Sequence, residues 1–501
     1  MTAAPPDYSD ISAILEHAVR QYPDAPAMVF QDAEVSYVTL AAAAHKLQQR
    51  FAAQGVGRGS RLGVTLAPSP VFLATLFALA RLGACAVPLS AGRPLEQRLE
   101  MARKFDIQAL IAEQAEQGFM GWPLIQVSDI GVGLEDFQAA RAVQVRQAVE
   151  PKAELADLPW FVVLSSGTTD NPKGVALTQR QSLTRIRQSA LVWNRQTRSI
   201  PYEMSIGAGL FPALRTLAVG GTVIVAQDSD FAGGFSSFVQ RHQGTHLLLS
   251  PWMAAQLVAQ LEGQRHAMPS LECLWISGGH CPREVLLALM ERVTPHVWLK
   301  YASVETGIVA AIPAAQALQT PGLSAIVCDW VQAQVLDEDG AAVSQGQSGL
   351  LAFRAEGWPT GYWAEEDNQD QSFKDGWYRS KDYGRLGERG QLFVQGRAEG
   401  ALNIAGIRVQ PEYLEQLLCD KLGIGECAVL DVLLPDHAAA LVVVVTQADA
   451  AKAVQIQTAL AEQLGAMAKV NIRVKTIAQI PRIGLGKIAR RALKVQFSTL
   501  T

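Results

Sequence analysis

The chain has 501 residues, of which 18% are charged and 49% are hydrophobic, and its formal net charge is −4 at pH 7. A chain of this length exceeds the size at which one hydrophobic core stops growing, so two or more domains are expected. The near-neutral balance and the dispersed basic residues argue against a nucleic-acid-binding or membrane-surface protein.

Neither a targeting segment nor a membrane span is expected. The N-terminal stretch MTAAPPDYSD lacks the features of a secretory signal. The most apolar window, Pro70 to Ser90, contains Arg81 and Gly83 and falls short of the ~20 apolar residues that a spanning helix needs. The six cysteines form no C-x-x-C pair. We therefore expect free thiols in a reducing, cytoplasmic protein.

Hydrophobic periodicity predicts alternating helices and strands along the first part of the chain. This alternation favours βαβ units and a parallel sheet. The predicted elements are a helix at Asp10–Arg20, a strand at Ala27–Phe30, a long helix after Ser36–Leu40 that ends near Gly55, a strand at Arg61–Leu66, a helix at Pro70–Leu82 and strands at Ala84–Pro88 and Asp106–Ala112.

A loop rich in glycine and hydroxyl side chains follows the apolar strand predicted at Trp160–Leu164. It reads SSGTTDNPKG from Ser165 to Gly174. Hydroxyls and unobstructed backbone amides can surround a polyphosphate, and Lys173 adds a positive charge. The loop is not a Walker A motif, because Pro172 stands where that motif needs glycine. A solvated turn of the same composition is the ordinary alternative.

Further strands and helices alternate after this loop. Ligands in open parallel sheets bind outside the carboxyl ends of the strands. The predicted strands are Thr222–Val225, Thr245–Leu249, Leu274–Ile276 and His296–Leu299. We therefore expect the chemistry to collect at Ser165, Ser250, Ser277 and Lys300.

The remaining motifs, in chain order, are Ser277–His280 (SGGH), Tyr301–Gly307 (YASVETG), Asp375–Gly384 (DGWYRSKDYG), Gly396–Arg408 (GRAEGALNIAGIR) and Pro481–Arg490 (PRIGLGKIAR). Together with the loop, these motifs resemble the acyl-adenylate-forming (AMP-dependent synthetase/ligase) superfamily. Its members are acyl-CoA synthetases, firefly luciferase and the adenylation domains of nonribosomal peptide synthetases. The resemblance covers nearly the whole chain, with its landmarks in family order.

The resemblance implies an α/β fold in two domains. The large N-terminal domain, residues 1–397, would contain parallel-rich sheets wrapped by helices and bind ATP and the acid. The small, mobile α+β domain, residues 398–501, would act as a lid that carries a catalytic lysine. Glu399 would be the hinge between the two domains, and Gly406 would lie beside a thiol tunnel.

The resemblance also implies a role for individual residues. Glu305 would hold Mg²⁺, which needs only one or two carboxylates besides phosphate oxygens. Lys487 would bridge the substrate carboxylate and the α-phosphate as a catalytic cation. The implied ATP- and AMP-binding residues are Ser165, Ser166, Gly167, Thr168, Thr169, Lys173, Gly278, Gly279, His280, Tyr301, Ala302, Ser303, Val304, Asp382 and Arg397.

Several positions depart from the family pattern. His280 stands where a small residue is common, and Val304 stands where a threonine reaches the α-phosphate. That hydroxyl is missing unless Ser303 or Thr306 supplies it. Asn403 replaces a frequent lysine, and Leu485 replaces a usual Ser or Thr. These departures leave open a degenerate nucleotide-binding homologue with weak activity.

The implied reaction has two steps. A carboxylate attacks the α-phosphate of Mg-ATP to give an acyl-adenylate and pyrophosphate, and a thiol then displaces AMP. The thiol belongs to CoA or to the phosphopantetheine of a carrier protein bound in trans. An acyl-CoA synthetase is favoured, and a stand-alone enzyme that loads an acyl or peptidyl carrier protein is the alternative.

The identity of the acid is the least determined part of the prediction. The segment Ser205–Phe211 offers no acidic residue to hold an α-amino group, which argues against an amino-acid substrate. A fatty or aryl acid is favoured. The candidate pocket residues, each of which is equally explained as ordinary core, are Met204, Gly207, Phe211 and Trp252.

Overall fold

The structure is a computed structural model that describes most of the chain. The described residues are 5–116, 118–128, 153–164, 173–189, 192–201, 203–227, 229–230, 234–261, 263–363, 372–404, 407–433, 439–464, 471–483 and 486–498. Phosphate-loop residues 165–172, Gly406 and Leu485 lie outside them. No helix in these ranges is both long and apolar enough to cross a membrane.

The first part of the chain alternates strands and helices, as its periodicity predicts. Its elements are α1 Ser12–Gln21, β1 Pro26–Phe30, β2 Ala33–Ser36, α2 Tyr37–Ala53, β3 Arg61–Val64, α3 Pro70–Leu82, β4 Cys85–Pro88, α4 Leu95–Lys104, β5 Ala109–Ala112, β6 Leu124–Gln126, β7 Pro159–Leu164 and β8 Gly174–Thr178. Helix α3 has the predicted bounds. The Ser69 hydroxyl accepts from the Phe72 amide at its start, and Gly83 adopts a left-handed conformation at its end.

One sheet of this part leads directly to the phosphate loop. Its strand order is β6-β5-β3-β4-β7-β8. The pairs from β6 to β7 are parallel, and β7 pairs with β8 in antiparallel register. The prediction of a parallel sheet in this region is confirmed for these strands.

The middle of the chain builds a larger sheet. Its elements are α5 Gln179–Gln188, β9 Arg198–Ile200, α6 Gly207–Ala218, β10 Thr222–Val225, α7 Phe235–Arg241, β11 His246–Leu249, α8 Pro251–Gln260, β12 Cys273–Ser277, α9 Arg283–Arg292, β13 Val297–Ser303, β14 Gly307–Pro313, α10 Ala314–Ala317, β15 Ala325–Val327, β16 Gln332–Leu336, β17 Ser348–Arg354, β18 Phe373–Lys374, β19 Trp377–Leu386 and β20 Gln391–Arg397.

This sheet joins two kinds of strand pairing. Its 14 strands follow the order β16-β17-β19-β20-β15-β14-β13-β12-β11-β9-β10-β1-β2, with β18 paired to β19. The run β13-β12-β11-β9-β10-β1 is parallel. From β13 to β14 and beyond, the pairs are antiparallel. The carboxyl ends of β11, β12 and β13 therefore lie side by side.

The predicted strand at Thr222–Val225 has the observed bounds, but the strand predicted to end at Leu299 is longer. Strand β13 continues through Tyr301 to Ser303. The reason is its antiparallel partner β14, because Ser303 pairs with Gly307 across a tight turn. The motif Tyr301–Gly307 therefore starts on the end of a strand and continues through the turn to β14.

The C-terminal part forms a smaller α+β unit with its own hydrophobic cores. Its elements are β21 Leu402–Ile404, β22 Ile407–Val409, α11 Pro411–Leu422, β23 Cys427–Leu433, β24 Ala439–Val445, α12 Ala450–Leu464, β25 Asn471–Thr476, β26 Arg482–Ile483, β27 Lys487–Ile488 and α13 Arg490–Ser498.

Strands β23, β24 and β25 of this unit form a sheet with helices on both faces. Val429 and Val443 pack with Leu414 of α11 and Leu460 of α12 on one face. Residues of the opposite alternation, such as Leu430, pack with the last helix. Period-two alternation thus gives one sheet two buried faces. A large α/β part followed by a small α+β part is the fold class that the sequence predicts.

Candidate active site

The phosphate loop connects two strands that pair with each other. Leu164 at the end of β7 is the register partner of Gly174 at the start of β8. A Cβ on Gly174 would lie 2.5 Å from the Phe105 ring, so packing requires glycine at this position. Of the predicted loop residues, only Lys173 is described, and its Nζ lies 5.0 Å from the centroid of the Tyr362 ring. Ser165, Ser166, Gly167, Thr168 and Thr169 lie outside the described residues.

Tyr362 connects Lys173 to Glu305. The Tyr362 hydroxyl donates a hydrogen bond of 2.7 Å to Glu305 Oε1. Glu305 is buried within the turn between β13 and β14. The Arg185 guanidinium donates to the backbone carbonyls of Val304 and Glu305 and so holds this turn. Burial lowers the pKa of Arg185 to about 10, so it remains charged at neutral pH.

A second carboxylate, Asp382, is held by two partners. The Tyr301 hydroxyl donates to Asp382 Oδ2 at 2.5 Å, and Arg397 Nε lies 3.0 Å from Asp382 Oδ1. Burial raises the pKa of Tyr301, which keeps its hydroxyl a neutral donor. The charge of Glu305 also acts on Arg397. Tyr301, Glu305, Tyr362, Asp382 and Arg397 form one group, here called the carboxylate cluster.

Lys487 lies within electrostatic reach of this cluster. Burial and the charge of Arg397 lower its pKa, and the charge of Asp382 opposes them. The preceding residue, Gly486, has φ +90° and packs against Trp252, because a Cβ on it would lie 2.6 Å from Trp252 Cβ. Helix α8, which carries Trp252, is therefore a contact surface for the turn that presents Lys487.

An open strip lies at the end of β12. Gly278 has φ +96°, and a Cβ on it would meet no atom within 4 Å. A Cβ on Gly279 would meet only Pro251 Cγ, at 3.8 Å. Such a strip suits the approach of a flat ring. His280 follows the strip and is exposed.

The structure bears on whether Ser303 or Thr306 can replace the hydroxyl missing at Val304. The Ser303 and Thr306 hydroxyls lie 3.0 Å apart and share a hydrogen bond. Thr306 is buried, and its hydroxyl donates to the Gly307 carbonyl. Thr306 is thus occupied within the turn. Ala302 and Ser303 form the end of β13.

The four predicted acid-pocket residues do not form one group. Met204 is fully buried in the main hydrophobic core, and Trp252 packs on Gly486. Gly207 and Phe211 lie one turn apart on α6, and a Cβ on Gly207 would lie 3.7 Å from the Phe211 ring. The Arg185 guanidinium lies 5.6 Å from the centroid of that ring. Only Phe211 is thereby connected to the turn that carries Glu305.

Sequence reasoning missed the two arginines that support this region. Arg185 on α5 fixes the Glu305 turn, and Arg215 lies on α6, where its Cζ is 4.6 Å from the centroid of the Trp193 ring. Burial lowers the pKa of Arg215 to about 9. The available signal was an arginine within the otherwise apolar run Leu210–Ala218. A charge on the buried face of a helix is rare unless it has a specific partner.

The residues present fit magnesium and a nucleotide triphosphate. Across the described part of the chain, no three His, Cys, Asp or Glu side chains group around a common point. Mg²⁺ at Glu305 would therefore depend on one carboxylate and on phosphate oxygens, which is ordinary coordination for this ion. The backbone of Glu399 forms a 3₁₀ turn, Ala398–Gly400, immediately after Arg397.

Comparisons with known proteins identify similar chains. The family model described as AMP-binding enzyme matches residues 15–363. The indoleacetate–CoA ligase of Aromatoleum aromaticum is 25% identical, covering 93% of this chain and 94% of its own. The 3-hydroxybenzoate–CoA ligase of an Aromatoleum species is 27% identical, covering 94% of this chain and 93% of its own.

A solved structure has the same fold. The ATP-bound MatB of Rhodopseudomonas palustris superposes with a TM-score of 0.84 at 20% identity, covering 98% of this chain and 99% of its own. At that identity the match establishes the architecture alone.

Proposed function

This chain belongs to the AMP-binding enzyme family and is an AMP-forming acid–thiol ligase, and from that premise we propose that it activates an aryl or otherwise largely apolar carboxylic acid with Mg-ATP and transfers the acyl group to CoA. The observation that carries the proposal is the approach of Lys487 to the carboxylate cluster. The Lys487 cation of the C-terminal part and the Asp382 carboxylate of the large part thereby act on each other.

Asp382 is assigned to the nucleotide sugar. Its carboxylate would accept hydrogen bonds from the ribose hydroxyls, as a carboxylate does in dinucleotide sites. Tyr301 and Arg397 already fix this carboxylate, so little ordering is needed when ATP binds. The open strip at Gly278 and Gly279 is assigned to adenine, with His280 at its edge.

Glu305 and Lys173 are assigned to the phosphate end. Glu305 would hold magnesium, which would draw charge from the leaving pyrophosphate. Lys173 and the loop residues Ser165 to Thr169 would surround the β- and γ-phosphates. Tyr362 contacts both Lys173 and Glu305, which supports a common position for these two groups.

Lys487 is assigned to the reacting centre. As the acid carboxylate attacks the α-phosphate, negative charge grows between the two groups, and a fixed ammonium group there stabilises the transition state. Arg397 lies nearby and adds to the positive potential. The product of this step is an acyl-adenylate, and pyrophosphate leaves.

The second step is transfer to a thiol. We assign the hinge to Glu399, the domain boundary to residues 397 and 398, and the thiol path to the neighbourhood of Gly406. Rotation about the hinge would withdraw Lys487 and admit the thiol, which displaces AMP. CoA is favoured as the acceptor, because both relatives described above are CoA ligases.

ATP–pyrophosphate exchange tests the proposal directly. Exchange with aryl or fatty acids but not with amino acids is expected in the presence of Mg²⁺ and the absence of a thiol. Addition of CoA should then give an acyl-CoA and AMP. If exchange occurs and a holo carrier protein is acylated while CoA is not, the acceptor is the carrier protein and not CoA. If no acid supports exchange while ATP still binds, the proposed enzymatic function is overturned in favour of a degenerate nucleotide-binding homologue.

A further inference from the structure

One face of the large sheet next to Tyr301 combines tryptophans with a lysine. Trp298 and Lys300 point to the same side of β13, because side chains alternate along a strand. In the parallel register Trp298 pairs with Trp275 and Lys300 pairs with Ser277. Trp275, Ser277, Trp298 and Lys300 thus share one face, here called the tryptophan face.

The tryptophan face is partly open. Leu248 on β11, Ser277, Lys300 and Ala311 on β14 are partly exposed, whereas Trp275 is buried in a hydrophobic cluster with Trp193. Trp275 and Trp298 lie with ring centroids 5.4 Å apart. An accessible face at the carboxyl ends of parallel strands is the position where ligands bind in such sheets.

Trp193 and Arg215 close the tryptophan face from the side of α6. The Trp193 ring stacks on Trp275 with centroids 6.3 Å apart. Arg215 lies over Trp193, and its guanidinium donates to the Ser189 hydroxyl. Arg215 is buried, so its charge acts on this face without being exposed on it.

Among the residues that the structure describes, no carboxylate forms an ion pair with Lys300. Its Nζ lies 5.8 Å from the centroid of the Trp275 ring, and within the described ranges it forms neither a hydrogen bond nor an ion pair. The charged or titratable groups that act on it are Arg215 and Cys273. Burial raises the pKa of Cys273 to about 12, so this thiol is neutral. Two cations therefore act on one face, and among the described residues no carboxylate forms an ion pair with either of them, although Glu272 acts on the neighbouring Cys273. This arrangement is unfavourable unless a ligand supplies the anion.

The tryptophan face connects to the candidate active site along α6. Lys300 directly precedes Tyr301 on β13, but their side chains lie on opposite faces of the strand, so Tyr301 does not provide this connection. On the other side, Arg215 shares α6 with Phe211, which lies beneath Arg185 and so connects to the Glu305 turn. A molecule bound on this face and extended along α6 would approach the turn that carries Glu305.

We propose that Lys300 binds a second acidic group at the distal end of the acid substrate, and that the preferred substrate is an aryl dicarboxylic acid with its ring against Trp275 and Trp298. This inference rests on the proposed function and specifies its substrate class. One carboxylate reacts at Lys487, and the other forms an ion pair with Lys300. Arg215 strengthens the attraction through its buried charge.

Direct binding tests the inference independently of turnover. Tryptophan fluorescence would be titrated with terephthalate and with 4-methylbenzoate, which has a methyl group in place of the second carboxylate. The wild-type chain is expected to bind terephthalate at least about tenfold more tightly, which corresponds to about 1.4 kcal/mol. Equal binding of the two acids would overturn the proposal.

Three variants sharpen the binding test. Lys300→Met is expected to lose the preference for terephthalate while binding 4-methylbenzoate as before, and Lys300→Arg is expected to keep the preference. Lys374→Met, which removes a charge from the exposed end of β18, is the matched control. Equal losses for both acids in Lys300→Met would indicate a structural lysine and overturn the proposal.

Two further readouts separate the possible explanations. If 4-hydroxybenzoate binds as tightly as terephthalate, a neutral hydrogen-bonding group suffices and the dicarboxylic acid inference is overturned. ATP–pyrophosphate exchange is measured with the same acids. Selective terephthalate binding without any exchange would support the Lys300 subsite while overturning the proposed enzymatic function.

Discussion

The carboxylate cluster and the tryptophan face differ in whether their charged side chains have partners of opposite charge. In the carboxylate cluster, Asp382 has Tyr301 and Arg397 as partners, and Glu305 accepts from Tyr362. On the tryptophan face, Lys300 and Arg215 have no carboxylate within the described residues. Compensated charges keep their geometry without ligand, whereas an uncompensated cation gains a partner only when a ligand binds. Under the proposed function, the first region would hold a nucleotide of fixed shape, and the second would select an anion.

The largest expected effect concerns Lys487, whose charge acts on the carboxylate cluster. Lys487→Ala should lower the rate of ATP–pyrophosphate exchange by about 10²- to 10³-fold, because a fixed charge at a developing negative centre contributes roughly 3–4 kcal/mol to the barrier. ATP binding should change little. Lys494→Ala, which removes a half-exposed lysine from the following helix, is the control. Unchanged exchange in Lys487→Ala would show that the cation is not at the reacting centre.

The next prediction tests the carboxylate cluster, whose charges are paired. Asp382→Asn should weaken ATP binding by about 10- to 100-fold, since hydrogen bonds to a charged group contribute roughly 1.5–3 kcal/mol. Calorimetric titration with ATP measures this change. Asp339→Asn, in an exposed turn, is the control. If ATP affinity survives in Asp382→Asn while acid binding falls, the assignment of the nucleotide to this side is wrong.

The carboxylate cluster is easier to find in the sequence than the tryptophan face. Asp382, Glu305 and Lys487 belong to motifs with fixed spacing, so local order alone makes them candidates. The tryptophan face has no such motif, because it is assembled from β11, β12, β13, β14 and α6. Met204 and Trp252 were predicted as pocket residues because they are apolar residues near the motifs. Their side chains pack into the core and against Gly486, which only tertiary structure determines.

The bounds of helices and strands were likewise predictable where local sequence sets them, and not where tertiary pairing sets them. The bounds of α3 were predictable from a capping serine, a first-turn proline and a terminal glycine. The extension of β13 beyond Leu299 was not, because it depends on pairing with β14. Lys300 was expected at the end of a strand, but its neighbours Trp193 and Arg215 come from other parts of the chain. Its missing counter-charge could not be deduced from sequence.

The pH dependence of terephthalate binding distinguishes the tryptophan face further from the carboxylate cluster. Burial, followed by the charge of Arg215, lowers the pKa of Lys300 to about 7. Cys273, which also acts on Lys300, has a pKa of about 12, and His246, which lies against Trp193, has a pKa of about 4, so both are neutral at pH 7. The Glu272 carboxylate acts on Cys273. A bound carboxylate raises the pKa of Lys300, so binding takes up a proton.

Terephthalate affinity should therefore be highest below pH 7 and fall by up to about tenfold per pH unit as the pH rises from 7 toward the pKa of the bound state. Fluorescence titrations between pH 6 and 9 measure this dependence. In Lys300→Arg the dependence should disappear, because arginine stays charged throughout this range. A fall of equal slope for 4-methylbenzoate would assign the titration to another group.

The smallest expected effect concerns the free energy of unfolding, and it distinguishes the unpaired Lys300 from the paired Arg397. Lys300→Met should leave the free energy of unfolding unchanged or raise it by up to about 1 kcal/mol, because an uncompensated, partly buried charge is removed. Arg397→Met should lower it by about 1 kcal/mol, since Asp382 loses a partner whose side chain is 55% exposed and therefore partly screened. Denaturant unfolding of both variants, followed by tryptophan fluorescence, makes the comparison. A large loss of stability in Lys300→Met would mean that the folded chain itself supplies the missing anion, and the tryptophan face would then resemble the carboxylate cluster.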